Sequence, residues 1–335
     1  MRAYQIEQFG IDNLAVVERE VPHPAETQVL VKIKAVSLNY RDVMVVEGAY
    51  NPRMKLPAVP FSDASGEVVE VGSGVTKWKA GDRVCSTIAP DWIDGGPTAA
   101  SSKTAIGAGA GEGVLQEYRV FDQEAIVAAP EHLSFDEAST LTCAGVTAWH
   151  ALVDSGHVKP GETVLTLGSG GVSVFAAQFA KLLGARVIST SSSNEKLEKL
   201  KVLGADGTIN YREREDWDKA VLELTDGLGV DHVIEVGGTG TLARSVKAVR
   251  VGGHIALIGA LDAGGEFSPI PVFMKAVRIQ GIFVGSRKMF EDMNVFVTEH
   301  EIHPVIGRTF AFEEVKGALK YMASGSHFGK IVVAF

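Results

Sequence analysis

A glycine-rich turn in residues 166–173 has the residue types and spacing that bind a phosphate group. Gly168 allows a tight turn after an apolar strand, while Gly170 and Gly171 let the backbone approach a pyrophosphate closely. The helix that begins near Val172 would direct its free N–H groups and the positive end of its dipole at that anion. Because a strand precedes the turn and a second strand follows the helix, the segment predicts half of a dinucleotide-binding site. A turn without a ligand is the simpler alternative.

The end of the second strand bears on which dinucleotide binds. NAD-binding domains commonly carry an acidic residue there, which binds the ribose 2′-OH. This chain has Ser191 and Ser192 instead, whose hydroxyls can donate to a 2′-phosphate, and Lys196 follows at a distance that suits a charge contact. These residues favour NADP(H) over NAD(H). The alternative is that the serines cap the next helix and that Lys196 is a solvated helix residue.

The elements that must position these residues alternate between helix and strand from residue 134 onwards. Ser134 followed by Glu137 is typical of a capping box, and a helical stretch is expected over residues 141–153. Strands are then predicted at residues 163–167, 186–190, 207–210, 232–236 and 254–258, with helices between them. This order predicts an α/β Rossmann fold with a doubly wound parallel sheet.

The first third of the chain predicts β structure instead. Residues 29–36 alternate apolar and charged side chains at the period of a strand. Residues 89–113 are rich in Gly, Ala, Ser and Thr, and they are expected to form a long surface loop. We therefore expect a β-rich domain over residues 1–128, completed by 294–335, around a nucleotide-binding domain over residues 129–293.

Composition excludes several classes of protein. The 335 residues are 46% hydrophobic and 22% charged, as in an ordinary soluble enzyme, and the net charge of −9 disfavours nucleic-acid and anionic-membrane partners. No uncharged apolar run approaches the ~20 residues that span a bilayer, and the N-terminus lacks a signal segment. The two cysteines, Cys85 and Cys143, are too few for a disulfide framework. We therefore expect a cytoplasmic protein.

Short motifs along almost the whole chain resemble the medium-chain dehydrogenase/reductase superfamily. They are residues 66–72 (GEVVEVG), 81–84 (GDRV), 147–149 (TAW), 168–173 (GSGGVS), 203–206 (LGAD) and 329–332 (GKIV). Each motif alone is weak, but the set is specific. The resemblance implies a GroES-like, β-rich catalytic domain together with the Rossmann domain, and direct hydride transfer to or from NAD(P).

The resemblance also raises the question of a metal. Zinc-dependent members of the superfamily place a cysteine, a histidine and a second cysteine around a catalytic zinc. The corresponding positions here hold Asn39, Ser62 and Cys143. Because an amide, a hydroxyl and one thiol do not form a catalytic zinc site, the chain resembles the zinc-free branch. That branch includes quinone oxidoreductases, ζ-crystallin-like reductases and enoyl reductases.

Further cofactor contacts are implied by the resemblance alone. Thr147 would lie near the nicotinamide amide, Tyr211 near the adenosine, and Gly237 near the ribose. The remaining positions lie at the ends of strands or in the tail motif: Asn210, Gly259, Val284, Ser286 and Lys330. A role in a turn or at a strand end is the structural alternative for these residues.

Without a metal, hydride transfer is easiest to quinones and α,β-unsaturated carbonyls, because the charge that develops spreads over a conjugated system. Asn39 is the best candidate for a hydrogen-bond donor to that charge, and Tyr50 resembles the tyrosine that lines the pocket of quinone reductases. Asp42 is a third catalytic candidate, although a helix cap or an ion pair suits it better than proton transfer. The alternatives are a zinc-free alcohol dehydrogenase and a crystallin-like protein that binds NADPH with little turnover.

The expected partners are a small carbonyl or quinone substrate and a second copy of the chain. Residues 278–284 (RIQGIFV) predict an edge strand of the Rossmann sheet. An exposed apolar edge is a liability unless it is paired, and we therefore expect a homodimer. The competing interpretation is a strand covered by its own helix.

Overall fold

The computed structural model describes residues 1–109, 111–259 and 267–335. Its strands, numbered along the chain, are β1 Arg2–Ile6, β2 Leu14–Glu18, β3 Gln28–Ser37, β4 Asp63–Val71, β5 Arg83–Ser86, β6 Tyr118–Asp122, β7 Ile126–Ala128, β8 Thr163–Thr166, β9 Arg186–Ser191, β10 Gly207–Asn210, β11 Val230–Glu235, β12 Val249–Leu257, β13 Arg278–Gly281, β14 Ile306–Ala311 and β15 Lys330–Ala334. Its α-helices are α1 Tyr40–Val46, α2 Phe135–Ser139, α3 Val146–Trp149, α4 Gly171–Leu182, α5 Asn194–Val202, α6 Trp217–Leu224, α7 Thr239–Ala248, α8 Ile270–Met274, α9 Arg287–Glu299 and α10 Val315–Ala323. In the described ranges, none of these helices has the length and apolar character that crossing a membrane requires.

The chain divides into two compact units. The first contains Met1–Val146 and Gly285–Phe335, and the second contains Thr147–Val284. These boundaries differ from those predicted, since residues 129–146 and 285–293 belong to the first unit rather than to the nucleotide-binding one. Packing explains the difference: α2 lies against β3, β4 and β15, and α9 lies against β7.

The first unit is built on a largely antiparallel sheet in the order β14-β15-β3-β4-β5-β7, with β6 also paired to β3. The alternation predicted for β3 is seen at Lys32, which is exposed between the buried residues Val31 and Ile33. Leu30 is buried as well, so more of the strand is covered than a simple alternation predicts. The carboxyl end of this central strand leads directly into α1.

The described part of residues 89–113 forms the predicted surface loop only in part: residues 93–100 are exposed, whereas residues 105–108 are buried. Trp92 and Ile106 are buried, and Ser101–Thr104 forms a 3₁₀ turn. The backbone carbonyl of Trp92 accepts a hydrogen bond from Arg287 N over 2.9 Å, which ties the segment to the start of α9. The many small residues of this segment concealed the fact that Trp92 and Ile106 are core residues.

The second unit contains a parallel sheet in the order β10-β9-β8-β11-β12-β13, which confirms the predicted doubly wound α/β fold. Its central strands are apolar on both faces, as parallel strands covered by helices require. Their buried residues include Val164, Leu165, Val233 and Ile234. Because the carboxyl ends of parallel strands meet at one edge, the residues that follow β8, β9, β10 and β11 come together there.

The helix predicted over residues 141–153 is irregular. A π-helical turn at Leu141–Gly145 leads into α3, and a second π-helical turn follows at His150–Asp154. Such turns are frequent at functional sites, and the first one carries Cys143. Hydrophobic periodicity does not distinguish an α-helix from this interrupted form.

Candidate functional site

The junction of β3 and α1 carries the first group of candidate residues. Asn39 has extended backbone angles (φ −123°, ψ 157°) and directly precedes α1, so it occupies the N-cap position. Its backbone N–H donates to Asp42 Oδ2 over 2.7 Å. The structure therefore brings Asn39 and Asp42 together, and the Asp42 carboxylate binds the helix start, which is the capping role considered for it.

Lys330 reaches the same junction from the other end of the chain. It begins β15, which pairs antiparallel with β3. Its Nζ donates to Leu38 O over 2.6 Å and to Asn39 Oδ1 over 2.7 Å. Only 3% of Lys330 is exposed, so its ammonium group is a buried cation. These hydrogen bonds lie within the first unit, and the contact of Lys330 with a cofactor stays a prediction.

A buried carboxylate stands beside this ammonium group. Asp63 begins β4, and its Oδ2 lies 3.8 Å from Lys330 Nζ. Ser62 Oγ donates to Asp63 Oδ1 over 2.7 Å, and Ser37 Oγ lies 3.3 Å from Oδ2. We define the polar cluster as Ser37, Asn39, Asp42, Ser62, Asp63 and Lys330.

Burial controls the charge state of groups in and near the polar cluster. Desolvation raises the pKa of Asp42 from 3.8 to about 6, against the opposing effect of the Arg41 guanidinium. Desolvation also raises the pKa of Cys143 to about 12, so this side chain is a neutral thiol at neutral pH. Asn39 Nδ2 and Asp42 Oδ1 are buried with no hydrogen-bond partner among the described residues. Since unpartnered buried groups cost free energy, these two atoms are candidates for binding a ligand.

Arg41 and Tyr50 lie at the side of the polar cluster. Arg41 donates from Nη2 to Ile106 O over 2.8 Å, and its guanidinium carbon lies 5.8 Å from the centre of the Tyr50 ring. Arg41 Nε and Nη1 are buried and lack a partner in the part of the chain that the structure describes. Tyr50 is 43% exposed, and its role in the pocket stays a prediction.

The side chains at the three expected zinc-ligand positions do not fit a zinc ion. The Oδ1 atom of Asn39 already accepts from the Lys330 ammonium, and the Ser62 hydroxyl donates to a carboxylate. Cys143 is then the one side chain of the three that could bind zinc as a thiolate, which is fewer than the three protein ligands of a catalytic zinc site. Within the described ranges, no group of three or more His, Cys, Asp and Glu side chains is arranged to hold a metal ion.

In the second unit, the glycine-rich turn joins β8 to α4. Gly168 has a φ of +74°, which glycine adopts without strain. Gly170 is the N-cap of α4, and the first N–H groups of a helix have no partner within it. Ser173, which replaces the third glycine of the pattern, is buried and donates from Oγ to Leu167 O over 2.6 Å. This turn has the predicted strand–turn–helix form, with Gly171 and Val172 in the first turn of the helix.

Serine hydroxyls surround the end of β9. Ser191 is buried, and its Oγ lies 3.4 Å from Ser169 Oγ in the glycine-rich turn. Ser193 caps α5 by accepting from Lys196 N over 3.4 Å. Ser192 is partly exposed between them. Since Ser193 alone supplies this cap, capping does not account for Ser191 and Ser192.

A cation near this strand end was not predicted. Desolvation lowers the pKa of Lys196, Glu195 opposes this effect, and the positive charges of Lys199 and Arg212 lower the pKa further, so Arg212 lies near enough to Lys196 to act on its charge. Tyr211 N donates to Ser191 O over 3.1 Å and so fixes the position of the residues after β10. Strand order is the signal that could have identified Arg212, because β10 and β9 are parallel neighbours.

The side chains of Asn210 and Tyr211 differ in their surroundings. Asn210 Nδ2 donates to Asn194 Oδ1 over 2.8 Å and to Glu213 Oε1 over 3.0 Å. Tyr211 is 40% exposed. The Asn210 amide therefore stabilises the loop after β10, whereas the Tyr211 ring remains accessible to a ligand.

Glu235, which sequence reasoning missed, holds the loop that contains Gly237. Its carboxylate is fully buried at the end of β11 and accepts from Gly237 N over 2.8 Å and from Gly238 N over 3.2 Å. A Cβ atom at Gly259 would lie 1.8 Å from Val236 O, so only glycine fits there. Glycine is therefore required at position 259 because the backbone lies close to the Val236 carbonyl. The predicted contact of Gly259 with a cofactor stays a prediction.

The other predicted cofactor residues occupy separate places. Thr147 is buried at the start of the second unit, and Val284 ends that unit with a φ of +38°. His150 Nδ1 lies 2.6 Å from Val284 O. Ser286 belongs to the first unit and caps α9, where its Oγ accepts from Met289 N over 3.2 Å.

Two models of known protein families match this chain. A model of the alcohol dehydrogenase GroES-like domain matches residues 25–131, and a model of the zinc-binding dehydrogenase family matches residues 171–299. A zinc-type alcohol dehydrogenase-like protein from Schizosaccharomyces pombe (strain 972) is 43% identical over 332 residues, which cover 97% of this chain and 96% of that protein.

Two further relatives are informative. The crystal structure of an NAD-dependent alcohol dehydrogenase is 35% identical and superposes with a TM-score of 0.91, covering 100% of both chains. A 2-haloacrylate reductase from Burkholderia sp is 30% identical over 347 residues, which cover 97% of this chain and 96% of the reductase. Chains similar to this one therefore include both alcohol dehydrogenases and a 2-haloacrylate reductase.

Proposed function

Because the chain belongs to the medium-chain dehydrogenase/reductase superfamily and is an NAD(P)-dependent oxidoreductase, we propose that it reduces quinones or α,β-unsaturated carbonyls with NADPH and without a metal. One observation carries the proposal: the Asn39 amide is fixed by the buried Lys330 ammonium, and its N–H donor has no partner among the residues that the structure describes. The misfit of Asn39, Ser62 and Cys143 with zinc supports the metal-free part.

The reaction needs stabilisation of negative charge on an oxygen atom. Hydride adds to the carbon β to the carbonyl, the C=C electrons shift, and an enolate forms whose charge lies largely on oxygen. The Asn39 N–H group would donate to that oxygen, as preorganised donors do at other developing oxyanions. A proton then adds to the α carbon and completes the reduction. In a quinone, the same donor would stabilise the hydroquinone anion.

Asp42 is the proposed protein source of that proton. Its pKa of about 6 keeps part of the population protonated near neutral pH, and its Oδ1 atom has no partner among the described residues. Water is the other source. Tyr50, exposed and beside Arg41, is proposed to line the acceptor pocket.

The second unit is proposed to bind NADP(H) in preference to NAD(H). The pyrophosphate would lie at Gly168, Gly170, Gly171 and Val172. The 2′-phosphate would bind Ser191, Ser192, Lys196 and Arg212, with the adenosine at Tyr211. No acidic residue stands at the end of β9, and two cations lie close to it. The solved relative is NAD-dependent, so direct titration of both cofactors is required.

The nicotinamide end of the cofactor is proposed to follow the pattern implied by the superfamily. Its contacts would come from Thr147, Gly237, Gly259 and Val284. Asn210, Ser286 and Lys330 make hydrogen bonds within their own units, and we propose direct cofactor contact for them only as the weaker alternative.

Oxidation of an alcohol is the second candidate function, and the names of the more similar relatives favour it. Reduction of a simple ketone, its reverse, requires a strongly polarised carbonyl oxygen, which zinc supplies in metal-dependent enzymes. One hydrogen-bond donor and a buried ammonium group polarise less than zinc does. The metal-free site therefore supports a conjugated acceptor better than a simple ketone.

We further propose a homodimer formed through β13, the edge strand of the parallel sheet. Three neighbouring side chains on α8 are exposed and apolar: Ile270, Phe273 and Met274, at 58%, 66% and 71%. An apolar edge of this kind favours pairing with a second strand. The free thiols Cys85 and Cys143 suit the cytoplasm that we expected.

A panel of acceptors tests the proposed function. NADPH oxidation by the purified protein would be followed with quinones, enones, haloacrylates, aldehydes and simple ketones. We expect turnover with the conjugated acceptors and little with simple ketones. A preference for simple ketones or alcohols would assign the alcohol dehydrogenase function instead.

A further inference from the structure

We infer that Lys330 is a positioning residue, which fixes the Asn39 amide so that its N–H group is presented to the acceptor and which supplies the local positive charge without a metal. This inference rests on the proposed function, since it names how the same site would work. It is carried by the two hydrogen bonds of Lys330 Nζ and by the unpartnered state of Asn39 Nδ2.

The chemistry of lysine determines which way the Asn39 amide faces. An ammonium group can only donate, so the Asn39 atom 2.7 Å from Lys330 Nζ must be the carbonyl oxygen Oδ1. The NH₂ group is then the other arm of the planar amide and is directed away from Lys330. Its Nδ2 atom is buried and finds no acceptor among the described residues, which leaves both of its hydrogens available to a ligand.

Asn39 stands at an N-cap but does not use its side chain for capping. An N-cap asparagine normally accepts a backbone N–H of the first helical turn through its side-chain oxygen. Here that oxygen accepts from Lys330, and the helix start is instead joined to Asp42 through the Asn39 backbone N–H. Because its oxygen binds Lys330, the Asn39 side chain does not cap α1, although an asparagine at this position usually would.

The cost of burying the ammonium group indicates a use beyond stability. Lys330 is 3% exposed, and its carboxylate neighbour Asp63 is 3.8 Å away, which is too far for a direct hydrogen bond. Ser62 Oγ also donates to Asp63 and draws off part of its negative charge. Lys330 has ion-pair contact with Asp63 and a weaker interaction with Asp42, but among the described residues it donates no direct hydrogen bond to a carboxylate. Burying a cation in this state is expensive, and a hydrogen-bonded amide that it polarises is one use for it.

The proposed reaction would gain both from the fixed orientation of the Asn39 amide and from the positive charge of Lys330. When negative charge develops on the acceptor oxygen, the Asn39 N–H group donates to it, and the ammonium group at Asn39 Oδ1 polarises the amide in the same direction. Hydrogen bonds joined in a chain strengthen one another in this way. Lys330 itself touches neither substrate nor reacting atoms in this account.

The inference is tested by a double-mutant cycle on kcat with an accepted enone. Asn39→Ala should lower kcat by about 10²-fold, at the lower end of the effect of losing an oxyanion donor. Lys330→Met should lower kcat to a similar degree, and the double variant should lose little more than either single one. The dissociation constant of NADPH should stay within about twofold, which a general structural defect would not allow.

Two further variants keep the test decisive if Lys330→Met folds poorly. Asn39→Asp keeps a side-chain oxygen that accepts from Lys330 but removes the N–H donor. This variant should therefore fold, and it should lose kcat as Asn39→Ala does. Lys330→Arg keeps the charge and should retain more activity than Lys330→Met. The matched control is Lys32→Met, an exposed lysine on β3, which should leave kcat unchanged. Additive losses for the Asn39 and Lys330 variants, or wild-type kcat in Lys330→Met, would overturn the inference.

A second measurement separates this inference from the proposed function. If the wild-type protein reduces no conjugated acceptor, the proposed function fails. The side-chain amide resonances of Asn39 then report on the contact directly. We expect them to shift in Lys330→Met and not in Lys32→Met, and unchanged resonances in both variants would refute the positioning role of Lys330.

Discussion

At the scale of single residues, burial and hydrogen bonding decide what the polar cluster can do. Asn39, Asp42 and Lys330 belong to residue types that are usually exposed, yet each is wholly or partly covered here. Lys330 and Asn39 bind one another, and Asp42 binds the backbone of Asn39. Because each side chain has a defined partner, substitution of each should have a distinct consequence.

Asp42 should make stability fall as the pH rises. Burial raises the pKa of Asp42 from 3.8 to about 6 in the folded protein, so the folded state binds a proton that the unfolded state has released between these values. The free energy of unfolding of the wild type, relative to Asp42→Asn, should therefore fall between about pH 4 and pH 6, by at most about 1.4 kcal/mol per pH unit. Urea unfolding of both proteins across this range checks the prediction, and a difference independent of pH would contradict it.

Arg212 should contribute to cofactor selection. If its guanidinium group binds the 2′-phosphate, Arg212→Ala should raise the dissociation constant of NADPH by about tenfold, or about 1.4 kcal/mol, and leave that of NADH unchanged. Arg214→Ala is the matched control, because Arg214 is bound to Glu223 and Asp216 on the surface. Fluorescence titration of both cofactors would decide, and equal weakening of NADPH and NADH would remove Arg212 from the 2′-phosphate site.

At the scale of elements, the parallel strands bring together residues that are distant in sequence. β11 and β12 pair His232 with His254, whose Nδ1 atoms lie 3.4 Å apart. His232 Nε2 lies 2.9 Å from Glu162 Oε2, and His254 Nε2 lies 3.1 Å from Ser155 Oγ. These four side chains form a polar chain across the sheet, which is buried except at the partly exposed Glu162.

This polar chain should make the second unit sensitive to acid. Desolvation, together with the smaller effects of the charges on Arg278, His232 and His157, lowers the pKa of His254 from 6.5 to about 3. The neutral form is therefore favoured in the folded state, so the stability it supports is present above pH 6.5 and is lost as the pH falls towards 3. His254→Gln should lessen this loss, which thermal unfolding between pH 7 and pH 4 would detect. An unchanged acid sensitivity would show that other groups are responsible.

The separation of contacting residues along the sequence explains which features of the fold and the site could be predicted. The strand Gly207–Asn210 was predicted with its observed bounds, because a short strand between turn residues is a local signal. The contact of Lys330 with Asn39 spans 291 residues and depends on the pairing of β15 with β3, which no local pattern reveals. Arg212 was missed for a similar reason, since its place follows from strand order.

At the scale of the whole molecule, the C-terminal tail returns to complete the first unit, and each unit carries its own group of candidate residues. The polar cluster lies in the first unit, and the glycine-rich turn lies in the second. The tail supplies Lys330, so the proposed acceptor site is incomplete without the last strand. The boundary at Val146 was not predictable, because it falls inside a continuous helical stretch.

The predicted homodimer also belongs to this scale. Gln280→Lys would add a positive charge to each of the two paired β13 edge strands, which opposes pairing. Light scattering should give a dimer mass for the wild type and a lower mass for the variant at micromolar concentration. Glu299→Lys, an exposed change on α9, serves as the control and should remain dimeric. A monomeric wild type would rule out the dimer.

The most direct test of metal-free conjugate reduction is turnover by protein of measured metal content. The purified enzyme would be treated with a chelator, its zinc determined by elemental analysis, and its oxidation of NADPH measured with an enone. We predict far less than one equivalent of zinc and full activity, because Asn39, Ser62 and Cys143 do not form a zinc site. One tightly bound equivalent of zinc, with activity lost on chelation and restored by zinc, would contradict this account.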